Sequence, residues 1–131
     1  QIKENLETFT KGTAVKVLMV VGGASINKQT QALTRGADVL VATPGRLIDL
    51  LERGDGSLEK CAYLVLDEAD HMLDMGFIHS LRRIAKHIPL RRQTLMFSAT
   101  FSSDVLNLAQ QWLCERVTVE IEPEKQTNED V

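Results

Sequence analysis

Tyr63-Leu64-Val65-Leu66-Asp67-Glu68-Ala69-Asp70 sets a short apolar run directly against three carboxylates. A run of this length bounded by charge reads as a buried strand of a parallel sheet. Open α/β sheets carry their ligand chemistry at the carboxyl ends of such strands. Asp67 and Glu68 fall at that edge, and Asp70, three residues on from Asp67, opens the next helix. Carboxylates there suit a hydrated magnesium ion and an attacking water, the two requirements of nucleotide hydrolysis. Acids also favour the first turn of any helix, where the dipole stabilises them by about 0.3–1 kcal/mol. The tetrad alone leaves both readings open.

Outward from this strand, apolar runs and helical patterns alternate along the chain. A helix is expected from Ile2 to about Thr10, with Ile2, Leu6 and Phe9 on one face and Gly12 as its stop. Val15–Val21 reads as a strand ending at Gly22-Gly23, and Ser25 caps a helix to about Thr34. Asp38–Ala42 is a second strand. Pro44 opens a helix with Leu47, Leu50 and Leu51 as its apolar stripe, ending at Gly54. Cys61–Leu66 is the third strand, followed by a short helix through Met72-Leu73 and another from Ile78 to His87. Gln93–Phe97 makes a fourth strand, and Ser102 or Ser103 caps a helix from Asp104 to about Leu113. Val117-Thr118-Val119-Glu120-Ile121 alternates as a final strand, and Pro123–Val131 reads as a linker. Strands separated by single helices imply a three-layer α/β fold with a parallel sheet and right-handed crossovers.

Bulk properties set limits on this picture. The 131 residues, 44% hydrophobic and 25% charged, fit one domain with a modest core. No run approaches the roughly 18–20 apolar residues of a membrane span. The start, Gln1–Leu6, has neither a signal-like apolar stretch nor an initiator Met, so the chain is expected to begin inside a longer protein. Cys61 and Cys114 lack metal or redox spacing, and two buried thiols in a reducing compartment are the default. The net charge of −3 belongs to the tail: residues 120–131 carry five acids against Lys125, leaving 14 bases and 13 acids in residues 1–119. A near-neutral body neither favours nor excludes contact with a few phosphates.

Three more segments fall at strand ends. Gly22-Gly23 lets a ligand backbone approach closely, although paired glycines mostly make turns. Thr43-Pro44-Gly45-Arg46-Leu47 opens a helix whose free N–H groups suit a phosphate, with the Thr43 hydroxyl and the Arg46 guanidinium as further donors. The plain alternative is an N-cap with Pro in the first turn and a solvated arginine. Ser98-Ala99-Thr100 offers hydroxyls within reach of Asp70 across adjacent strand ends.

In order and spacing these segments resemble the DEAD-box family of ATP-dependent RNA helicases. The resemblance rests on Gly22-Gly23, Thr43–Leu47, Val65–Asp70, Leu73-Asp74-Met75-Gly76-Phe77 and Arg92-Gln93-Thr94 leading to Phe97–Thr100. It implies a partial RecA-like (P-loop NTPase) domain lacking the P-loop strand. Residues 1–121 would be the C-terminal part of the first, ATP-binding helicase domain, and residues 122–131 the start of the interdomain linker. It also implies roles. Asp67 would hold magnesium on ATP phosphates through water, and Glu68 would orient and deprotonate the attacking water. Asp70 would hydrogen-bond Ser98 and Thr100, coupling ATP to the grip on RNA. Gly22, Gly23, Thr43, Pro44, Gly45 and Arg46 would hold one RNA strand by its backbone, without sequence preference. ATP, Mg2+, RNA, a P-loop segment and a second helicase domain in cis are the implied partners, in the cytoplasm or, in a eukaryote, the nucleus.

No G-x-x-x-x-G-K-[ST] occurs in these residues, nor the glutamine segment for adenine or the proline-threonine-arginine RNA motif. The chain alone is therefore expected to be inactive as an ATPase, and Val117–Ile121, without a P-loop strand beside it, to form an unpaired edge. A non-enzymatic half-domain binding RNA or protein is the second reading. A metal-dependent hydrolase built on Asp67, Glu68, Asp70 and His71 is a third. It lacks a ligand cluster, since His71, His79 and His87 recur every eight residues. Trp112, Met72, Met75 and Met96 read as packing residues, and Arg82-Arg83 and Arg91-Arg92 as solvated faces.

Overall fold

The computed structural model describes residues 1–90, 92–113 and 116–121. Among these residues six helices and four strands follow one another much as the periodicity predicts: α1 (Ile2–Thr10), β1 (Val17–Val20), α2 (Ile26–Arg35), β2 (Val39–Ala42), α3 (Pro44–Glu52), β3 (Tyr63–Leu66), α4 (Ala69–Asp74), α5 (Ile78–Ala85), β4 (Gln93–Met96) and α6 (Ser103–Trp112). Local chemistry fixes the ends. Pro44 occupies the first turn of α3, where its missing N–H costs nothing. The Ser102 hydroxyl caps α6 by accepting the Val105 N–H at 3.3 Å. Among the described residues no helix is long and apolar enough to cross a membrane.

All strand pairs are parallel. β1 lies beside β2 with Val20 opposite Ala42, and β3 beside β4 with Leu66 opposite Met96. Within the described residues these are two separate two-stranded sheets, not the one continuous sheet the sequence suggests. Ladder bonds form only within each pair. The halves are joined instead by packing of α3 on α5 and by a shared core.

That core gathers Val20 from β1, Leu33 from α2, Leu47, Ile48, Leu50 and Leu51 from α3, and Ile84 and Ile88 from α5 and the loop after it. Leu64 of β3 packs against it, so both sheets rest on one apolar centre. Leu50 is fully buried. At the surface of the α3–α5 contact, Arg83 Nε donates to Glu52 Oε1 at 2.7 Å. This bond, more than the attendant charge attraction, holds the Glu52 carboxyl below its usual pKa.

Several expectations are corrected. β3 is not buried on both faces: Tyr63 and Val65 are 67% and 54% exposed, while Leu66 is buried. Side chains alternate across a strand, and no described element covers the outer face. Val117–Ile121 is not a strand, and Val117, Val119 and Ile121 stand in solvent. Alternation describes a surface that fits a sheet, but a strand exists only with a ladder partner and an apolar cover. The segment assigned as a linker, Glu122–Val131, lies outside the described residues, as do Arg91, Cys114 and Glu115. Cys61 is a free, half-buried thiol. Met75 is exposed, not packed. Arg92 is no solvated residue: it is half-buried, its guanidinium lies 5.9 Å from the Trp112 ring centre, and Nη1 donates to the Pro89 carbonyl at 2.9 Å.

Candidate functional site

Parallel pairing in this register puts the ends of partnered strands side by side. Gly22-Gly23 after β1 therefore neighbours Thr43–Arg46 after β2, and Asp67–Asp70 after β3 neighbours Ser98–Thr100 after β4. Both rims are tied across by the backbone. The Thr43 N–H donates to the Val20 carbonyl at 3.1 Å, the Phe97 N–H to the Leu66 carbonyl at 2.8 Å, and the Ala69 N–H to the Phe97 carbonyl at 2.9 Å.

On the first rim, Gly23 sits at φ +81°, a conformation that glycine adopts without strain. A Cβ built on Gly22, Gly23 or Gly45 would meet nothing within 4 Å, so the space over all three is open to a ligand. Thr43 is at the N-cap of α3 with its hydroxyl uncommitted to the cap. Arg46 is the surprise. The solvated arginine weighed from the sequence is instead half-buried, with Nη1 donating to the Ala24 carbonyl at 3.0 Å and to Gln29 Oε1 at 2.9 Å. No carboxylate among the described residues pairs with it, so its charge is uncompensated. Two of its five donors are used there, leaving Nε and Nη2 for a ligand.

Gln29 was missed in the sequence reading. It is the buried polar residue of the described core, 7% exposed, and its Nε2 donates to the Val21 carbonyl at 3.0 Å. The available signal was its position: Ile26, Gln29 and Leu33 share the inward stripe of α2, where an amide needs buried partners.

On the second rim, Asp67 Oδ1 accepts the Glu68 N–H at 2.9 Å. Glu68 adopts the left-handed conformation (φ 52°, ψ 53°), alone in this among the described non-glycine residues. This costs about 1–2 kcal/mol, and such strain collects at functional sites. Asp70 is reached by Thr100, whose hydroxyl donates to Oδ2 at 3.4 Å. Ser98 does not reach it. Its Oγ accepts the Thr100 N–H at 3.4 Å, a local turn that competes with the longer-range bond expected from the sequence. Beside Asp70 a cleft of about 260 Å³ is lined by Asp74, Thr100, Ser102 and Asp104.

A magnesium ion fits this rim only in one manner. No group of three or more His, Cys, Asp or Glu among the described residues is placed to hold a metal. Asp67 is exposed and has one carboxylate oxygen free of the bond to Glu68. That suits a hydrated ion carried in by phosphates, which needs one or two carboxylates, and does not suit an ion held by protein alone.

The strain at Glu68 has a measurable consequence. Both Glu68→Gly and Glu68→Ala delete the carboxylate, yet only alanine keeps the Cβ that the left-handed backbone disfavours. Glu68→Gly is expected to exceed Glu68→Ala in stability by about 0.5–1 kcal/mol, after allowing for the extra freedom of unfolded glycine. Urea midpoints of the two variants decide it. Equal midpoints would mean that residue 68 relaxes out of this conformation.

A parallel α/β scaffold with a Gly-Gly turn, a Thr-Pro-Gly-Arg helix start, an Asp-Glu-Ala-Asp turn and a Ser-Ala-Thr turn, each at a strand's carboxyl end, defines a helicase core domain. The model of the DEAD/DEAH box helicase family matches residues 1–108, and the chain belongs to that family. ATP-dependent RNA helicase RhlB of Pseudomonas putida KT2440 is 50% identical over 134 residues, covering 100% of this chain and 34% of the relative. RhlB of Pseudomonas syringae pv. tomato DC3000 is 50% identical over 125 residues, covering 93% and 32%. The chain thus spans about a third of the length of these curated relatives. Among solved structures, the yeast DEAD-box splicing factor Prp28 superposes with a TM-score of 0.79 at 36% identity, covering 87% of this chain and 28% of that one. A DEAD box protein of Methanococcus jannaschii superposes at 0.82 with 36% identity, covering 88% and 31%.

Proposed function

We propose that this chain serves an ATP-dependent RNA helicase as the C-terminal part of its first, ATP-binding domain, with residues 1–121 as that part and residues 122–131 as the start of the interdomain linker. The observation that carries this is the pair of rims at the strand ends, one open and cationic, the other carboxylate-bearing.

On the first rim, the glycines Gly22, Gly23 and Gly45 admit a sugar-phosphate backbone. The Thr43 hydroxyl and the N–H groups that open α3 behind Pro44 donate to its phosphates, and Arg46 adds a charge with free donors. Backbone contacts of this kind give affinity without reading sequence, which suits an enzyme acting on many RNA duplexes. On the second rim, Asp67 would hold a hydrated magnesium ion, which would supply charge neutralisation for ATP phosphates. Glu68 orients the attacking water and accepts its proton. Asp70 and Thr100, with Ser98 behind Thr100, link the two strand ends, so a change at the nucleotide is passed to β4. ATP binding then favours the RNA-gripping arrangement, and hydrolysis releases it.

Binding to labelled single-stranded oligouridylate tests the RNA half of this reading. Affinity is expected to fall steeply with salt, and Arg46→Glu to weaken binding at low salt by about tenfold to a hundredfold, since one phosphate contact is lost and a repulsion added. Unchanged binding by a folded Arg46→Glu variant would remove the RNA assignment of this rim.

A further inference from the structure

We propose that Gln29 is a positioning residue that locks the Gly22-Gly23 turn and the Arg46 guanidinium into one fixed arrangement for a nucleic-acid backbone. The proposal rests on the RNA reading of that rim. Three bonds make the lock. Gln29 Nε2 donates to the Val21 carbonyl at 3.0 Å, ahead of the glycines. Arg46 Nη1 donates to the Ala24 carbonyl at 3.0 Å, behind them. The same Nη1 donates to Gln29 Oε1 at 2.9 Å and closes the circuit.

The partners also dictate the amide's chemistry. Arg46 can only donate and the Val21 carbonyl can only accept, so residue 29 must present one acceptor and one donor from a neutral group. Glutamine does this at the reach that α2 provides. Glutamate would meet Val21 with an oxygen and, by pairing with Arg46, would cancel the charge meant for phosphate. A hydrocarbon would leave the Val21 carbonyl without this bond and the guanidinium held only by Ala24. Because Gln29 is buried at 7% exposure while the glycines and Thr43 are open, it acts on the rim through Arg46 and the turn, without touching the ligand.

The experiment measures affinity of the chain for labelled single-stranded oligouridylate across a salt series, for wild type, Gln29→Glu, Gln29→Met and Arg46→Glu. Gln29→Glu is expected to lower low-salt affinity about tenfold and to flatten the salt dependence by about 0.7 in log K against log salt, the increment of one phosphate on a single strand. Gln29→Met is expected to lose about threefold to tenfold with the wild-type salt slope, since Arg46 keeps its charge while the turn loosens. A purely structural glutamine would give both variants the same loss and an unchanged slope. That result, or a Gln29→Met variant that binds like wild type, overturns the proposal. Should Arg46→Glu also bind like wild type, the RNA reading itself fails. Should either Gln29 variant fail to fold, the Gln29 side-chain amide signal of the wild-type protein decides. Slow solvent exchange and a shift on adding oligouridylate are expected; a fast-exchanging, unmoved signal overturns the lock.

Discussion

Given saturating ATP and Mg2+, this 131-residue chain is expected to release phosphate no faster than buffer, and Glu68→Gln to leave that background unchanged. Phosphoryl transfer draws nearly all of its acceleration from positioning and charge stabilisation. These residues contain no G-x-x-x-x-G-K-[ST] to cradle the polyphosphate. Asp67 and Glu68 are solvent-exposed. The cleft beside Asp70 presents Asp70, Asp74 and Asp104, which repel an anionic nucleotide. An ion that needs phosphates to complete its shell is therefore not delivered. A phosphate-release assay on protein freed of contaminating ATPases checks this. Magnesium-dependent turnover that Glu68→Gln abolishes would show that the carboxylate rim catalyses without a cradle.

Leu50→Ala is expected to cost about 2–5 kcal/mol, the loss of a buried leucine plus the cavity it leaves. A domain's whole stability is commonly about 5–15 kcal/mol. Here the loss strikes the place where the two halves meet, because Leu50 lies fully buried in the cluster shared by Val20, Ile84 and Leu64. With two-stranded sheets on either side, neither half has a ladder to the other to fall back on. Leu90→Ala is the control: Leu90 is 95% exposed, and its truncation is expected to stay within about 0.5 kcal/mol. Urea midpoints measure both. A Leu50→Ala loss below about 1 kcal/mol would mean that α3 and α5 do not pack as described.

The strand-end motifs were legible because each depends on chemistry within a few residues. Gly22-Gly23 ends an apolar run, Pro44 can sit only early in α3, and Asp67–Asp70 follows four apolar residues. The role of Arg46 was not legible in this way. Its partners, Ala24 and Gln29, are 22 and 17 residues away, and only the return of the chain through β2 brings them together. Ser98 illustrates the reverse: local turn chemistry defeated a long-range bond that looked equally reasonable. Glu68 concealed its strained backbone entirely, since nothing in Asp-Glu-Ala-Asp demands a positive φ.

The order of elements, the proline start of α3 and the Ser102 cap of α6 were set by the sequence alone, through side-chain spacing and chemistry that spans only a turn of chain. Tertiary structure alone decided that the four described strands form two pairs, that Val117–Ile121 is no strand, and that a buried amide grips the arginine of the open rim. Those outcomes depend on which distant surfaces meet, and periodicity carries no information about a partner's address.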